Sequence, residues 1–434
     1  MPYFSGMGKY RIIRKLNPIE QAFTLSNDAM PLCVVCVLQL CDGPDAMELE
    51  AALAGLQSRH ALLKAGIHKA GGQYYFHQLA PLSPIPLNLA EQKGPDAWQA
   101  VAEGALNTIF DRRGPLMKCW YLTGVNERDC ELIVCFHHAI IDGISARLIL
   151  HELLSLAGGI ELPPPVPGGA VPVFPGAFRG LRWIGQILRF AGRQMRAEWA
   201  YKKAGMIAPI PAGSENAVVS FRLSPEISRK LTVRIGREGL SLNTVLLAAI
   251  TQVVAGRNYA GKKKRLARIL SFADLRPSVV PAVSDQELGC YVSMLRLSVP
   301  VAEETTLSEL SSQVRKAIYK ASRQGEVFIL SKISKQLVGM VLRLKNQRLG
   351  VSALSFIGKL DLDQQYGPIG LKHVSAFITN NRFGPEFSAF GKILFGAISL
   401  DFTYLTAETG PDLAQEMAEE IRAALENMAD SPYI

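Results

Sequence analysis

Long uncharged apolar runs are missing from this 434-residue chain, and with them any evident membrane-spanning helix. The longest apolar stretch, TVLLAAITQVVAG at 244–256, falls short of the roughly 20 residues a bilayer demands and carries Thr and Gln. The opening MPYFSGMGKYRIIRKL lacks the apolar centre of a secretory leader. A disulfide framework is missing too. Cys33, Cys36, Cys41, Cys119, Cys130, Cys135 and Cys290 are odd in number and mostly sit in apolar strand-like runs, which fits reduced, buried thiols. The lone CxxC, Cys33 and Cys36, has no second pair. On a strand its side chains point to opposite faces, so no metal site is expected. These absences favour a soluble, cytoplasmic protein, with peripheral contact to a membrane left open.

Several catalytic signatures are absent as well. HExxH, the helical zinc-protease pattern, does not occur. Gly143-Ile144-Ser145-Ala146-Arg147 lacks the last glycine of a nucleophile elbow. GRNYAGKK at 256–263 has Lys263 where a phosphate-binding loop needs Ser or Thr for magnesium, and it follows a helical pattern instead of a strand. The net charge of +9 favours acidic partners: phosphates, anionic lipid headgroups or an acidic protein. No recognition motif for nucleic acid accompanies that charge, so no nucleic-acid partner is expected.

What is present is the patterning of a large α/β chain, 48% hydrophobic. Asn17-Pro18 reads as a helix cap followed by proline at the first helical position. LCVVCVLQLC (32–41) reads as a buried strand, and Asp45 with Glu48 as a capping box opening a helix. Gly71-Gly72 marks a hairpin turn, a helix follows near 95–109, and 116–124 and 130–138 form a second strand pair. The texture breaks at GGIELPPPVPGGAVPVFPG (158–176), too rich in Pro and Gly for a regular element, and a basic helix follows at 178–204. Helices are then expected near 225–236, 241–256 and 412–428. Strands are expected near 218–223, 265–273, 288–299 and 352–357, with several more between 371 and 405. Composition thus divides the chain into 1–160, a linker and crossover helix at 161–214, and 215–434. Elements mixed without strict βαβ order predict mixed α+β sheets.

The stretch CELIVCFHHAIIDGISARLIL (130–150) concentrates the chemistry. An apolar alternating run ends in His137 and His138, and an amphipathic run begins just after Asp142 and Gly143. Side chains alternate across a strand, so the two histidines cannot serve one site as equals. One points into its own half, while the other can face an opening and take a proton from a hydroxyl or amine without a metal. Asp142 stands where a helix begins, either as its N-cap or as the buried partner of a distant arginine. Gly143 either leaves space beside the base or supplies a φ that other residues resist.

HHAIIDG (137–143) resembles the HHxxxDG motif of the acyltransferase superfamily that includes chloramphenicol acetyltransferase, nonribosomal peptide condensation domains, and polyketide-associated and alcohol acyltransferases. Other stretches agree in the family's order. They are LNPIEQAF (16–23), LEAALAGLQSRHALLKAGI (49–67) with Ala61 for the usual proline, SFADLRP (271–277), LGCYVSMLRLSV (288–299), and VSALSFIGKLDL (351–362) with Phe356 where asparagine is common. The resemblance implies two chloramphenicol-acetyltransferase-like halves in a V around a central tunnel. It implies His138 as general base and Asp142 paired with Arg276. Ser355 is either a hydrogen-bond donor to the oxyanion, as serine is in some relatives, or a serine satisfied within its own strand. His137 reads as packing or hydrogen bonding behind the turn. The resemblance further implies an acyl group moved to an alcohol or amine, and the high apolar content favours a fatty or polyketide chain over acetate. The donor would be an acyl-CoA or phosphopantetheinyl carrier-protein thioester, with no bound cofactor and no acyl-enzyme. The DFGWG motif is not kept; its nearest match is FGKILFGAISLDF (390–402), which weakens a condensation-domain assignment. Without an adenylation or carrier region, the chain is expected to act in trans. The alternative is a vestigial protein on this fold that docks carrier proteins.

Two basic segments complete the reading. FRGLRWIGQILRFAGRQMRAEWAYKKA (178–204) sets Phe178, Leu181, Trp183, Ile184, Ile187, Leu188 and Phe190 among Arg179, Arg182, Arg189, Arg193 and Arg196. It is either a crossover helix packed on one half with its arginines in water, or a surface for an anionic membrane or an acidic carrier protein. GKKKR (261–265) is either a solvated loop or a contact for donor phosphates.

Overall fold

A computed structural model describes residues 11–91, 94, 96–124, 129–166, 173–178, 180–203, 213–258, 265–343 and 348–431. In chain order the first elements are β1 (Ile12–Lys15), α1 (Pro18–Asn27), β2 (Cys33–Cys41), α2 (Ala46–Arg59), β3 (Ala65–Ala70), β4 (Gln73–Gln78), β5 (Leu87–Glu91), α3 (Ala97–Leu106), β6 (Met117–Thr123), β7 (Asp129–His137) and α4 (Gly143–Ala157). Then come α5 (Arg182–Lys203), β8 (Asn216–Arg222), α6 (Pro225–Arg237), α7 (Leu242–Asn258), β9 (Arg265–Asp274), β10 (Val292–Val301), α8 (Leu307–Arg323) and α9 (Glu326–Arg343). The last are β11 (Ser352–Lys359), β12 (Gln365–Tyr366), β13 (Ile369–Ile378), β14 (Phe387–Leu394), β15 (Ala397–Leu405) and α10 (Pro411–Asp430).

The strands form mixed sheets, as expected. One six-stranded sheet runs β12-β13-β2-β7-β6-β5 and another runs β10-β9-β11-β14-β15-β8; β1, β4 and β3 form a third, smaller sheet. Two compact units result. The first holds 1–173, 279–291 and 362–374; the second holds 174–278, 292–361 and 375–434. Both are discontinuous, because the chain passes between them more than once. A boundary drawn on composition at 161–214 cannot express this.

In the first unit, β2 and β7 pair antiparallel along their whole length, with Cys33 opposite His137, so the histidine turn hangs from the end of a central strand. Helix α3 packs on β2 and β7, and α2 packs against α4. The segment 362–374 docks through Tyr366, whose hydroxyl lies 3.1 Å from His151 Nδ1. There Gly367 (φ 58°) passes so close to Gly158 that a Cβ would sit 2.1 Å from the Gly158 carbonyl oxygen. In the second unit, α7 lies across β9, β11 and β14, and its Val245–Ile250 run is fully buried in that unit's core. Lys392 and Asp401 form an ion pair there with both side chains fully buried.

Local signals served the elements well. Asn17 and Asp45 both close capping boxes, with Glu20 and Glu48. Gly71 and Gly72 take φ of 54° and 72°, the left-handed pair a two-residue hairpin requires. Helices α8 and α9 were not expected, although Thr306 with Glu309 is a capping box of the same kind and marks the start of α8. The strand expected at 288–299 starts only at Val292; residues 288–291 serve the first unit instead. The near-match 256–263 and the basic run 261–265 fall mostly outside the described residues. No single helix among the described residues is long and apolar enough to cross a membrane.

Candidate active site

The turn after β7 separates the two histidines by environment. His137 is the last strand residue, and its ring is fully buried, edge-on to Phe110 at 5.9 Å. Its Nδ1 accepts from the Ala139 N–H at 3.0 Å, and among the described residues its Nε2 has no hydrogen-bond partner. Burial, and after it the neighbouring His138, push the His137 pKa down to about 3, so this ring is neutral across the physiological range.

His138 begins a short 3-10 turn, His138–Ile140. Its Nδ1 lies 3.0 Å from the Ile141 carbonyl oxygen, which can only accept, so the proton sits on Nδ1 and the Nε2 lone pair is left for chemistry. No group among the described residues bonds Nε2, and the residue retains 8% exposure. Phe23 of α1 stacks on the imidazole at 4.2 Å and 29°, which fixes the ring plane. Burial lowers the His138 pKa, partly countered by the Ile141 carbonyl. The ring is therefore neutral, and able to accept a proton, at neutral pH.

Asp142 fills the cap role and more. Its Oδ1 accepts from the Ser145 N–H at 2.9 Å, closing the start of α4. Its Oδ2 accepts from the Tyr291 N–H at 2.8 Å, a residue 149 positions away in sequence but in the same unit. The Ser145 hydroxyl donates to the Gly289 carbonyl at 2.8 Å and lies 3.1 Å from the Gly289 N–H. Asn17 donates its side-chain amide to the Cys290 carbonyl at 2.9 Å. Three consecutive peptides, 289–291, are thus clasped by side chains at the starts of α1 and α4. Buried hydrogen bonds to a carboxylate contribute on the order of 2 kcal/mol each. Gly143 is the first helical residue and is not among the positive-φ glycines, so a special φ is not why glycine stands there.

The turn therefore brings together His137, His138, Asp142 and Gly143, and adds Phe23, Asn17, Ser145 and 289–291, whose roles were not read from sequence. A signal existed: LNPIEQAF and LGCY were both legible as segments accompanying the histidine motif, and they supply Phe23, Asn17 and the clasped peptides. Arg276 and Ser355 belong to the second unit. Arg276 is 1% exposed, and its backbone N–H and Nη1 lie 3.0 and 3.4 Å from Asp274 Oδ1. Ser352 Oγ meets Thr251 Oγ1 of α7 at 2.9 Å. Strand alternation directs Ser355 to the other sheet face, where no hydrogen bond to its Oγ occurs among the described residues. Among the described residues no cluster of three or more His, Cys, Asp or Glu side chains could hold a metal.

Residues 212–338 match the family described as phthiocerol/phthiodiolone dimycocerosyl transferase C-terminus. A plipastatin synthase of Bacillus subtilis is 26% identical over half of this chain. Phosphinothricin tripeptide synthetase of Streptomyces viridochromogenes is 23% identical over 62% of it. The chain spans only 8% and 26% of the lengths of these two proteins. Among solved structures, polyketide synthase associated protein 5 of Mycobacterium tuberculosis superposes with a TM-score of 0.68 at 15% identity, covering 97% of this chain and 99% of that one. A trichothecene 15-O-acetyltransferase of Fusarium sporotrichioides gives 0.72 at 11% identity, covering 99% of each chain. By fold, the chain is chloramphenicol acetyltransferase-like, as these acyltransferases and condensation domains are, and its residues 212–338 are similar to the transferase family.

Proposed function

We propose that this protein transfers an acyl group from a thioester, of coenzyme A or of a carrier protein's phosphopantetheine, to a hydroxyl or amine, with His138 as general base. One observation carries the reading: the Nδ1 bond to Ile141 and the stacked Phe23 hold a neutral imidazole whose Nε2 is unbonded among the described residues. In this scheme Nε2 takes the proton of the acceptor O–H or N–H as the heteroatom attacks the thioester carbonyl. The tetrahedral intermediate collapses, the C–S bond breaks, and the departing sulfur takes the proton back from the imidazolium. No acyl-enzyme forms. The Ile141 carbonyl also stabilises the transient imidazolium, because it accepts from the same Nδ1–H in both states. The names of the relatives, an O-acetyltransferase and several peptide synthetases, support oxygen and nitrogen acceptors alike. They also support a carrier protein as donor partner.

The test is release of free thiol from a panel of acyl-CoA and acyl-carrier thioesters, with and without simple alcohols and amines. Acceptor-dependent release that falls 10²–10⁴-fold in His138→Ala is the expected result. Full activity in that variant, or no thiol release with any pair while carrier proteins still bind, would replace this reading with a docking protein on the same fold.

A further inference from the structure

Helix α5 divides its apolar residues between two fates. Phe190 is buried against Ile329 and Leu330 of α9, and Arg193 pairs with Glu326 at 2.9 Å, which anchors one side of the helix to the second unit. The other side is left open: Leu181 is 83% exposed, and Leu188, Met195 and Trp199 are 67% exposed each. With Ile184, these residues recur at intervals of three, four, seven and four, which aligns them along one face of a 3.6-residue helix. From 181 to 199 the stripe runs about 27 Å at 1.5 Å per residue. Arg189 and Arg196 stand about a quarter-turn to one side of it, and among the described residues neither forms an ion pair. By sequence, the helix carries Arg182, Arg189, Arg193, Arg196, Lys202 and Lys203 against a single acid, Glu198.

We infer that this face of α5 is a docking surface for an anionic lipid bilayer, independent of the reaction at His138. The charge supplies the complement to phosphate, and the stripe supplies the part that enters the acyl boundary. A straight row of leucine, methionine and tryptophan beside arginines suits a flat, fluid interface, which makes no demand for a shaped groove. Trp199 has the amphipathic ring that settles at headgroup depth.

Vesicle flotation of the full chain tests this. The probes are phosphatidylcholine vesicles with and without about 30% phosphatidylglycerol, at low and high salt. Anionic vesicles are expected to retain the protein at least about tenfold better than neutral ones, with loss at high salt. Leu188→Ser with Trp199→Ser, and separately Arg189→Glu with Arg196→Glu, are each expected to lower retention about tenfold or more while the thermal midpoint stays put. Equal retention on neutral and anionic vesicles, or wild-type retention by either double variant, overturns the proposal. So does a concentration-dependent dimer that Leu188→Ser with Trp199→Ser abolishes, because it would make a second copy of the chain the occupant.

Discussion

Helix α4, which follows the histidine turn, and helix α5 hold apolar side chains of the same kind and treat them oppositely. In α4, Leu148, Ile149, Leu150, Leu153 and Leu154 are all buried, and the acid among them, Glu152, is paired. Burial alone would raise the Glu152 carboxyl, but His60 at 2.7 Å and Arg59 at 2.9 Å outweigh it and hold its pKa at about 2. In α5, leucine, methionine and tryptophan stand exposed beside Arg189 and Arg196, which form no ion pair among the described residues. The first helix is anchored by its apolar face and its paired acid, and its start is tied to the histidine turn through the Asp142 cap. The second is anchored along one side only, which is the pattern of a surface meant to be covered.

The largest effect expected on that comparison is kinetic: His138→Ala lowers acyl transfer 10²–10⁴-fold and leaves the thermal midpoint near wild type. In the wild type, the acid limb of the kcat/KM profile lies below the ordinary histidine value of 6.5, because burial lowers the His138 pKa and only the neutral ring accepts a proton. A limb above 6.5 would contradict the buried base.

Next, Asp142→Ala removes the helix cap and the acceptor of the Tyr291 N–H together, leaving two buried donors without partners. A loss on the order of 3 kcal/mol in urea unfolding is expected. Ser145→Ala, which removes the hydroxyl's contacts with the Gly289 carbonyl and N–H but keeps the Asp142 cap, costs about 1 kcal/mol.

Acid sensitivity is a third measure. The folded pKa of His137, about 3, lies below its unfolded value near 6.5, so the unfolded chain binds the extra proton between those limits. Stability is therefore whole above about pH 6.5 and falls as the pH drops toward about 3, by up to about 1.4 kcal/mol per pH unit for this group. His137→Asn, which keeps an acceptor for the Ala139 N–H, is expected to flatten that slope in urea unfolding measured from about pH 7 to about pH 5. An unchanged slope would remove His137 from the account. The smallest effect belongs to α5: Leu188→Ser is expected to shift unfolding by less than about 0.5 kcal/mol and to leave turnover of soluble substrates unchanged. A large loss there would mean that α5 is held by its open face after all.

Much of the fold was legible because its signals are short. Asn17, Asp45 and Thr306 each announce a helix within four residues, and Gly71-Gly72 announces a hairpin by the φ it requires. Helices α8 and α9 nevertheless lie outside the expected elements, although Thr306 with Glu309 signals the start of α8. The candidate site was half legible. The histidines, the aspartate and the helix start lie within seven residues, and strand alternation requires the two rings to part. Which ring faces the open side is decided by Phe110 packed edge-on to one and Phe23 stacked on the other.

By itself the sequence determined the elements, the turn and the residue types able to do base chemistry, because caps, periodicity and turn residues act over a few bonds of chain. The tertiary structure alone decided the plane of the His138 ring against Phe23, the second bond of Asp142 and the exposure of the α5 stripe. Tyr291 lies 149 residues from the carboxylate it meets, and no local preference carries information across that distance; only packing of the folded chain brings that donor and acceptor within 2.8 Å.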